Sequence, residues 1–182
     1  MNEAGFSAVG ITAESGSDRI LSSLGKGFDA SILYEASRQL RNFKGMRMWT
    51  FLLGGPGEDA KSVRETAAFI ESLPHTDLIF ISYGIRILPG TMLQRQLAEQ
   101  GQAVQDKDAI HPLFYHSPHI TPAEAGKIIE RCRFPSANIV SLTDGCHRLL
   151  PGIQALSAGL GLQPPFWRYV PLINRFRRVI GL

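Results

Sequence analysis

The stretch Met48–Glu58, MWTFLLGGPGE, sets an apolar segment directly against three glycines, a proline and an acid. The apolar residues predict a buried β-strand, and the glycine-proline run predicts a sharp turn where that strand ends. A single glycine or an Asn-Gly pair would be enough for a turn. Two interpretations therefore stay open: a tight turn alone, or a place where a ligand approaches the backbone closely.

Strands and helices alternate on both sides of this stretch. The predicted strands cover residues 6–13, 46–53 and 77–87, and helices are predicted to begin at Ser17, Asp29, Asp59 and residue 92. The first strand, small and largely apolar, is typical of a strand that is covered on both faces. Three strands separated by helices predict parallel pairing through right-handed crossovers, which is an α/β fold of barrel or doubly wound type.

The second part of the chain, residues 102–182, is less regular and predicts a mainly helical extension. Thr121, with Pro122 after it and Glu124 in a capping box, predicts the start of one helix. Residues 136–142 fit either a short strand or the start of another helix. Glycines and two prolines then precede a basic, amphipathic tail, residues 166–182.

Composition excludes several classes of protein. With 44% hydrophobic and 19% charged residues the chain is an ordinary globular sequence, and no apolar run approaches the roughly 18 residues of a membrane span. The start lacks the pattern of a signal peptide, so we expect a cytoplasmic protein. Residues 1–144 hold 14 basic and 16 acidic residues, and five arginines follow Asp144. The body of the chain therefore gives no reason to expect nucleic-acid binding.

Three special segments follow the three predicted strands: Glu14–Ser17, Gly54–Glu58 and Pro89–Thr91. The carboxyl ends of parallel strands share one rim, where ligands usually bind, so these segments together predict a ligand site. Bare glycine backbone suits the edge of an adenine ring, whereas a phosphate loop would need a lysine and a hydroxyl after the glycines. Glu14 fits a partner for ribose hydroxyls or an ammonium group, or a helix N-terminal acid and nothing more.

A family resemblance rests on three motifs in order. GITAESGSDRILSSLGKG (residues 10–27), FLLGGPGE (51–58) and ILPGTML (87–93) resemble the later half of a radical S-adenosylmethionine (radical SAM) enzyme. The chain is most similar to the subgroup that includes oxygen-independent coproporphyrinogen oxidases, methylthiotransferases and cobalamin-binding members. The resemblance covers residues 1–101 and implies three parallel units of a partial (βα) barrel there, followed by the extension 102–182.

The resemblance also implies which residues face S-adenosylmethionine. The acid of the ESGS motif would lie in the pocket beside the serine, the glycine-proline turn would line the adenine, and an arginine on the next strand would face the same cavity. The implied residues are Glu14, Ser15, Gly54, Gly55, Pro56, Gly57 and Arg86. Lys26 stands where the family usually has arginine; it still neutralises a carboxylate but loses the bidentate grip of a guanidinium.

The family's [4Fe-4S] cluster needs three cysteines, usually CxxxCxxC, whereas this chain has two, Cys132 and Cys146. The resemblance therefore implies the carboxyl-terminal part of an Fe-S oxidoreductase that holds part of the S-adenosylmethionine pocket and is inactive alone, the cluster ligands belonging to the parent protein. A barrel edge without its neighbour would expose the first strand, so we expect self-association through that edge. The substrate is not predictable, because one fold serves many substrates.

Two further features leave alternatives open. His111, His116 and His119 lie within nine residues, but their spacing favours loop histidines over a metal site. The tail 166–182 fits a helix that docks on the body, or a basic helix on an anionic membrane. The alternative function is accordingly a noncatalytic α/β module whose tail binds a membrane or protein partner.

Overall fold

The computed structural model describes residues 1–74, 78–101, 113–133, 138–142, 155, 159–161, 166–170 and 172. Its strands are β1 Ala8–Glu14, β2 Met46–Leu53, β3 Leu78–Tyr83, β4 Ile85–Arg86, β5 Phe114–Tyr115 and β6 Asn138–Leu142. Its helices are α1 Asp18–Ser23, α2 Ala30–Gln39, α3 Ala60–Ser72, α4 Met92–Glu99 and α5 Pro122–Glu130, with 3-10 turns at Leu40–Asn42 and Phe166–Tyr169.

Four strands form one parallel sheet in the order β1, β2, β3, β6. This confirms the α/β class and the parallel βα units predicted for a partial barrel. The sequence left residues 136–142 open between strand and helix, and the structure places β6 beside β3. The two parts of the chain distinguished in the sequence thus contribute to one sheet.

The hydrophobic core lies on one face of this sheet. Trp49 and Phe51 alternate along β2 and meet Phe69 of α3 edge-on, with ring centroids 5.6 and 6.0 Å apart respectively. Ile129 of α5 belongs to the same buried cluster. Burial of each such side chain contributes about 1.5–3 kcal/mol, so the contact between β2 and α3 is a main source of stability.

The opposite face of the sheet is only partly covered. Gly10 and Thr12 of β1 are exposed there, and Thr50 of β2 is half-buried. The expectation that the first strand is covered on both faces is therefore wrong for the described residues, because the core helices pack on the other face. Helices on one side and a half-open inner face are the geometry of a partial barrel.

The third strand is shorter than the sequence predicts. It ends at Tyr83, because Gly84 adopts a left-handed conformation with φ +91°. The chain then continues as β4, which pairs antiparallel with β5 in a separate two-stranded sheet. Asp77, the predicted start of the strand, lies outside the described residues.

Capping residues begin most of the helices as predicted. The side chain of Asp29 caps α2, that of Asp59 caps α3, and Thr121 forms the predicted capping box with Glu124. Such a cap stabilises a helix by about 1 kcal/mol. Ser17 occupies the predicted N-cap position of α1, although its buried hydroxyl makes no capping bond. Among the described residues, none of the helices has the length and apolar character needed to cross a membrane.

Candidate functional site

The end of β1 presents a paired carboxylate. A bulge in the register shifts the pairing between Thr12 and Glu14, so the chain turns at the last residue of the strand. Glu14 has φ 66°, a left-handed conformation that costs a non-glycine residue about 1–2 kcal/mol. Its Oε1 lies 2.5 Å from Nζ of Lys26, and the two side chains are only 15% and 29% exposed. Strained backbone thus holds a charged pair at the carboxyl end of the strand.

The two residues after Glu14 fasten the loop to α3. Ser15 is fully buried; its hydroxyl lies 3.1 Å from that of Thr66 and accepts a hydrogen bond from the Ser17 amide. Gly16 donates its amide to the Thr66 hydroxyl, and a Cβ on Gly16 would lie 2.7 Å from Cβ of Phe69. Ser15 therefore fixes the loop to α3, and its hydroxyl is already used in hydrogen bonds within the protein.

The glycine turn after β2 is organised by Glu58, which the sequence analysis did not single out. Glu58 is fully buried, and its Oε2 accepts hydrogen bonds from the amides of Gly54 and Gly55. Its Oε1 has no partner among the described residues. Burial raises the pKa of this carboxyl to about 7, although the two amide bonds act in the opposite direction. The Glu58 side chain therefore fixes the backbone of the glycine turn through these two hydrogen bonds.

Helix α1 joins the Glu14 loop to the glycine turn. Arg19 donates from Nη1 to the carbonyl oxygen of Gly57 at 2.5 Å, and from Nη2 to Oδ2 of Asp59 at 2.8 Å. Ser23 donates its hydroxyl to the carbonyl of Pro56 at 3.0 Å. The two predicted ligand-facing loops thus form one hydrogen-bonded unit.

A third segment, residues 113–120, is hydrogen-bonded to the glycine turn. Ser117 donates its amide to the carbonyl of Gly54 at 2.8 Å and its hydroxyl to the carbonyl of Glu58 at 2.6 Å. The preceding residue, His116, lies against Gly84, where a Cβ would come within 2.6 Å of the ring. The anchor at Ser117 therefore places an imidazole over the carboxyl end of β3.

The structure brings most of the predicted site residues together. Through α1 and Glu58 it joins the Glu14 loop, which contains Ser15 and faces Lys26, to the turn Gly54–Gly57. Arg86 is exposed on β4 in the two-stranded sheet, next to Ile85, whose Cγ1 would lie 3.6 Å from a Cβ on Gly55. The role of Arg86 at the S-adenosylmethionine pocket stays a prediction.

The histidines and the tail are only partly described. His116 and His119 lie in the segment before α5, whereas His111 is outside the described residues. Within the part of the chain that the structure describes, no three His, Cys, Asp or Glu side chains gather as metal ligands would. Most of the tail 166–182, including the predicted helix, also lies outside it, although Val170 is buried and Leu172 is exposed.

No family model matches the chain. The tRNA-2-methylthio-N(6)-dimethylallyladenosine synthase of Pelobacter propionicus is 32% identical over 87 residues, which are 47% of this chain and 19% of that protein. In TsrM, a radical S-adenosylmethionine methyltransferase of Kitasatospora setae with tryptophan and aza-SAM bound, the fold matches with a TM-score of 0.68. The chain is related to the radical SAM enzymes.

The structural likeness spans nearly all of this chain. TsrM with aza-SAM bound is 18% identical, and the match covers 98% of this chain and 43% of TsrM. A second TsrM structure, with cobalamin and a [4Fe-4S] cluster bound, gives a TM-score of 0.58 and 20% identity over 96% of this chain and 40% of TsrM. The sequence match to the synthase and the likeness to TsrM together support the radical SAM relationship predicted from the three motifs. The chain spans less than half of each protein it matches.

Proposed function

We propose that the chain supplies one side of an S-adenosylmethionine pocket in a radical SAM protein. The observation that carries this proposal is the Glu14–Lys26 pair, held at positive φ on a strand end and joined through α1 to the glycine turn. Glu14 would meet the ribose or the ammonium of the ligand. TsrM, which is similar in fold, holds an analogue of the same ligand.

The glycine turn would contact the adenine mainly by van der Waals packing. The amides of Gly54 and Gly55 are already bonded to Glu58, and the carbonyls of Gly54, Pro56 and Gly57 already accept hydrogen bonds from the protein. Bare glycine backbone and the Pro56 ring still offer a flat surface against which an adenine packs. Direct hydrogen bonds from the turn to the adenine are therefore left to the Gly57 amide, which has no partner among the described residues, and to second lone pairs of the carbonyl oxygens.

The described residues do not fit a [4Fe-4S] cluster. A cluster ligand must be a thiolate, whereas burial, and to a smaller extent Glu71, raises the pKa of the Cys132 thiol to about 11. Its Sγ is 3.7 Å from the carbonyl oxygen of Ala67. Cys146 lies outside the described residues, and two cysteines are fewer than the motif requires. We propose that this chain alone does not cleave S-adenosylmethionine and that the cluster belongs to the parent protein.

Calorimetric titration with S-adenosylmethionine tests the proposed pocket. We expect weak binding by the wild-type protein, and about tenfold weaker binding by Glu14→Gln, because a hydrogen bond to a charged group contributes about 1.5–3 kcal/mol. Glu3→Gln, at an exposed position before β1, is the matched control and should bind like the wild type. Equal affinity of the Glu14→Gln and wild-type proteins would contradict the assigned role of Glu14.

We also propose that the outer edge of β1 pairs with a second copy of the chain. In the described part of the chain no strand covers that edge, and a cavity of about 440 Å³, lined by Val9, Ile11, Leu40 and Phe43 among others, lies beside it. We expect light scattering after size exclusion to show a dimer. Thr12→Lys should shift it toward monomer because edge charges oppose strand pairing. Ser22→Lys, on exposed α1 surface, is the control, and a wild-type monomer would refute the proposal.

The alternative function, a noncatalytic module with a membrane- or partner-binding tail, stays a prediction, because most of that tail lies outside the described residues.

A further inference from the structure

A second cavity is lined in part by His116, whose ring also lies near the glycine turn. Its volume is about 230 Å³, and its walls come from the end of α4 and from the segment that contains β5. The apolar walls are Ile87, Leu97, Phe114 and Pro118, and the residues with polar groups are Gln100, Tyr115 and His116. Drug-sized ligands usually occupy about 300–1,000 Å³, so this cavity suits a smaller molecule of one or two rings.

The walls of the cavity are fixed in place. Leu97 is only 2% exposed, and β5 is held by its pairing with β4 and by the bond from the Ile87 amide to the Leu113 carbonyl at 2.9 Å. Ser117, which follows His116 in the chain, is hydrogen-bonded to the glycine turn. His116 thus stands between two anchored points, with Gly84 beneath its ring. Such preorganisation lowers the entropy lost when a ligand binds.

Three side chains with polar groups line the cavity, and two of them, Gln100 and His116, are exposed. In the described residues, the Gln100 amide, the Tyr115 hydroxyl and the His116 imidazole make no side-chain hydrogen bond with the protein. An amide and an imidazole each donate and accept, and the aromatic rings of Phe114 and Tyr115 favour flat ligands. The combination matches a planar ring with a nitrogen at its edge.

We propose that this cavity binds a planar nitrogen heterocycle, with His116 and Gln100 as its hydrogen-bonding partners. A Cβ on Gly54 would lie 3.9 Å from Nδ1 of His116, so His116 contributes to this cavity and also lies beside the glycine turn. The heterocycle is then the ring of the substrate, an assignment that rests on the proposed S-adenosylmethionine pocket.

Binding of benzimidazole to the 182-residue chain tests the site. The titration follows the backbone amide signals of residues 114–117 by NMR, with indane as a ligand of the same shape but without ring nitrogens. We expect benzimidazole to bind and indane to bind about five- to tenfold more weakly, the factor that one hydrogen bond supplies. His116→Phe keeps a flat ring on Gly84 and should weaken benzimidazole by a similar factor.

Two further variants keep the test decisive. His119→Phe changes an exposed histidine of the same segment that does not line the cavity, and should bind benzimidazole like the wild type. Gln100→Ala changes an exposed residue just after α4, so it reports on the site even if His116→Phe misfolds, and should also weaken binding. No binding of benzimidazole, equal binding of indane, or equal binding by the His116→Phe and Gln100→Ala variants would each overturn the proposal.

A parallel titration with S-adenosylmethionine separates this proposal from the proposed function. Binding of S-adenosylmethionine without benzimidazole would overturn the heterocycle site and leave the proposed pocket standing. Binding of benzimidazole through His116 without S-adenosylmethionine would support the heterocycle site and overturn both the proposed pocket and the assignment of the ring to a substrate.

Discussion

Between pH 5 and pH 8 the free energy of unfolding of the wild-type protein should fall by about 2–3 kcal/mol. The Glu58→Gln protein should lose most of this pH dependence. Burial raises the pKa of Glu58 from its ordinary 4.5 to about 7, so the folded protein binds a proton that the unfolded chain has released. Its contribution to stability is fully present below pH 4.5 and is lost as the pH rises through 7. A shift of one unit corresponds to about 1.4 kcal/mol, which sets the size of the effect.

Glutamine is the right replacement because its carbonyl oxygen can still accept from the amides of Gly54 and Gly55. Urea unfolding at the two pH values provides the measurement, and Glu3→Gln serves as the exposed control. The carboxyls of Asp59 and Glu124, whose pKa values are lowered by hydrogen bonds at helix starts, lose their contributions only in more acidic solution, below this window. A Glu58→Gln protein as pH-dependent as the wild type would show that Glu58 is ionised throughout.

Gly16→Ala should destabilise the protein by about 2–3 kcal/mol, with a fall in Tm of roughly 5–10 °C. An added Cβ would lie 2.7 Å from Cβ of Phe69 and 2.9 Å from Cα of Thr66. Neither atom can move without shifting α3, and the Thr66 hydroxyl that accepts from the Gly16 amide would be displaced as well.

The matched control is Gly27→Ala, since nothing lies within 4 Å of its added Cβ and its φ is not positive. It should leave stability unchanged or raise it by up to about 1 kcal/mol, because alanine restricts the unfolded chain. Differential scanning calorimetry of the three proteins decides the matter. If the two variants have the same Tm, the packing of the Ser15 loop on α3 is looser than the structure indicates.

Local patterns were enough to predict much of the fold. The caps at Asp29, Asp59 and Thr121, the apolar stripe of α3 and the strand before the glycine turn all depend on residues close in sequence. The half-open inner face was not predictable in this way, because the sequence of β1 reads as a strand covered on both sides. Whether a partner layer is present is a property of the whole assembly of elements.

Only the parts of the candidate site that lie within sequence motifs were predictable. Glu14 and the glycine turn follow strands directly, so their neighbourhood at the rim is a consequence of parallel pairing. Glu58 was missed although a signal was present: Asp59 already caps α3, which leaves the acid beside it without a helical role. Ser117 was missed, and His116 was predicted only as a loop histidine, because their contacts with Gly54 and Gly84 span more than thirty positions.

Backbone strain at Glu14 has a consequence for how this position responds to selection. Glycine there would relieve about 1 kcal/mol of conformational strain, and asparagine part of it, so a library screened for folding alone should drift toward those residues. A library screened for binding of S-adenosylmethionine should instead retain the acid. Under the proposed function, position 14 is thus a point at which the requirements of folding and of ligand binding favour different amino acids.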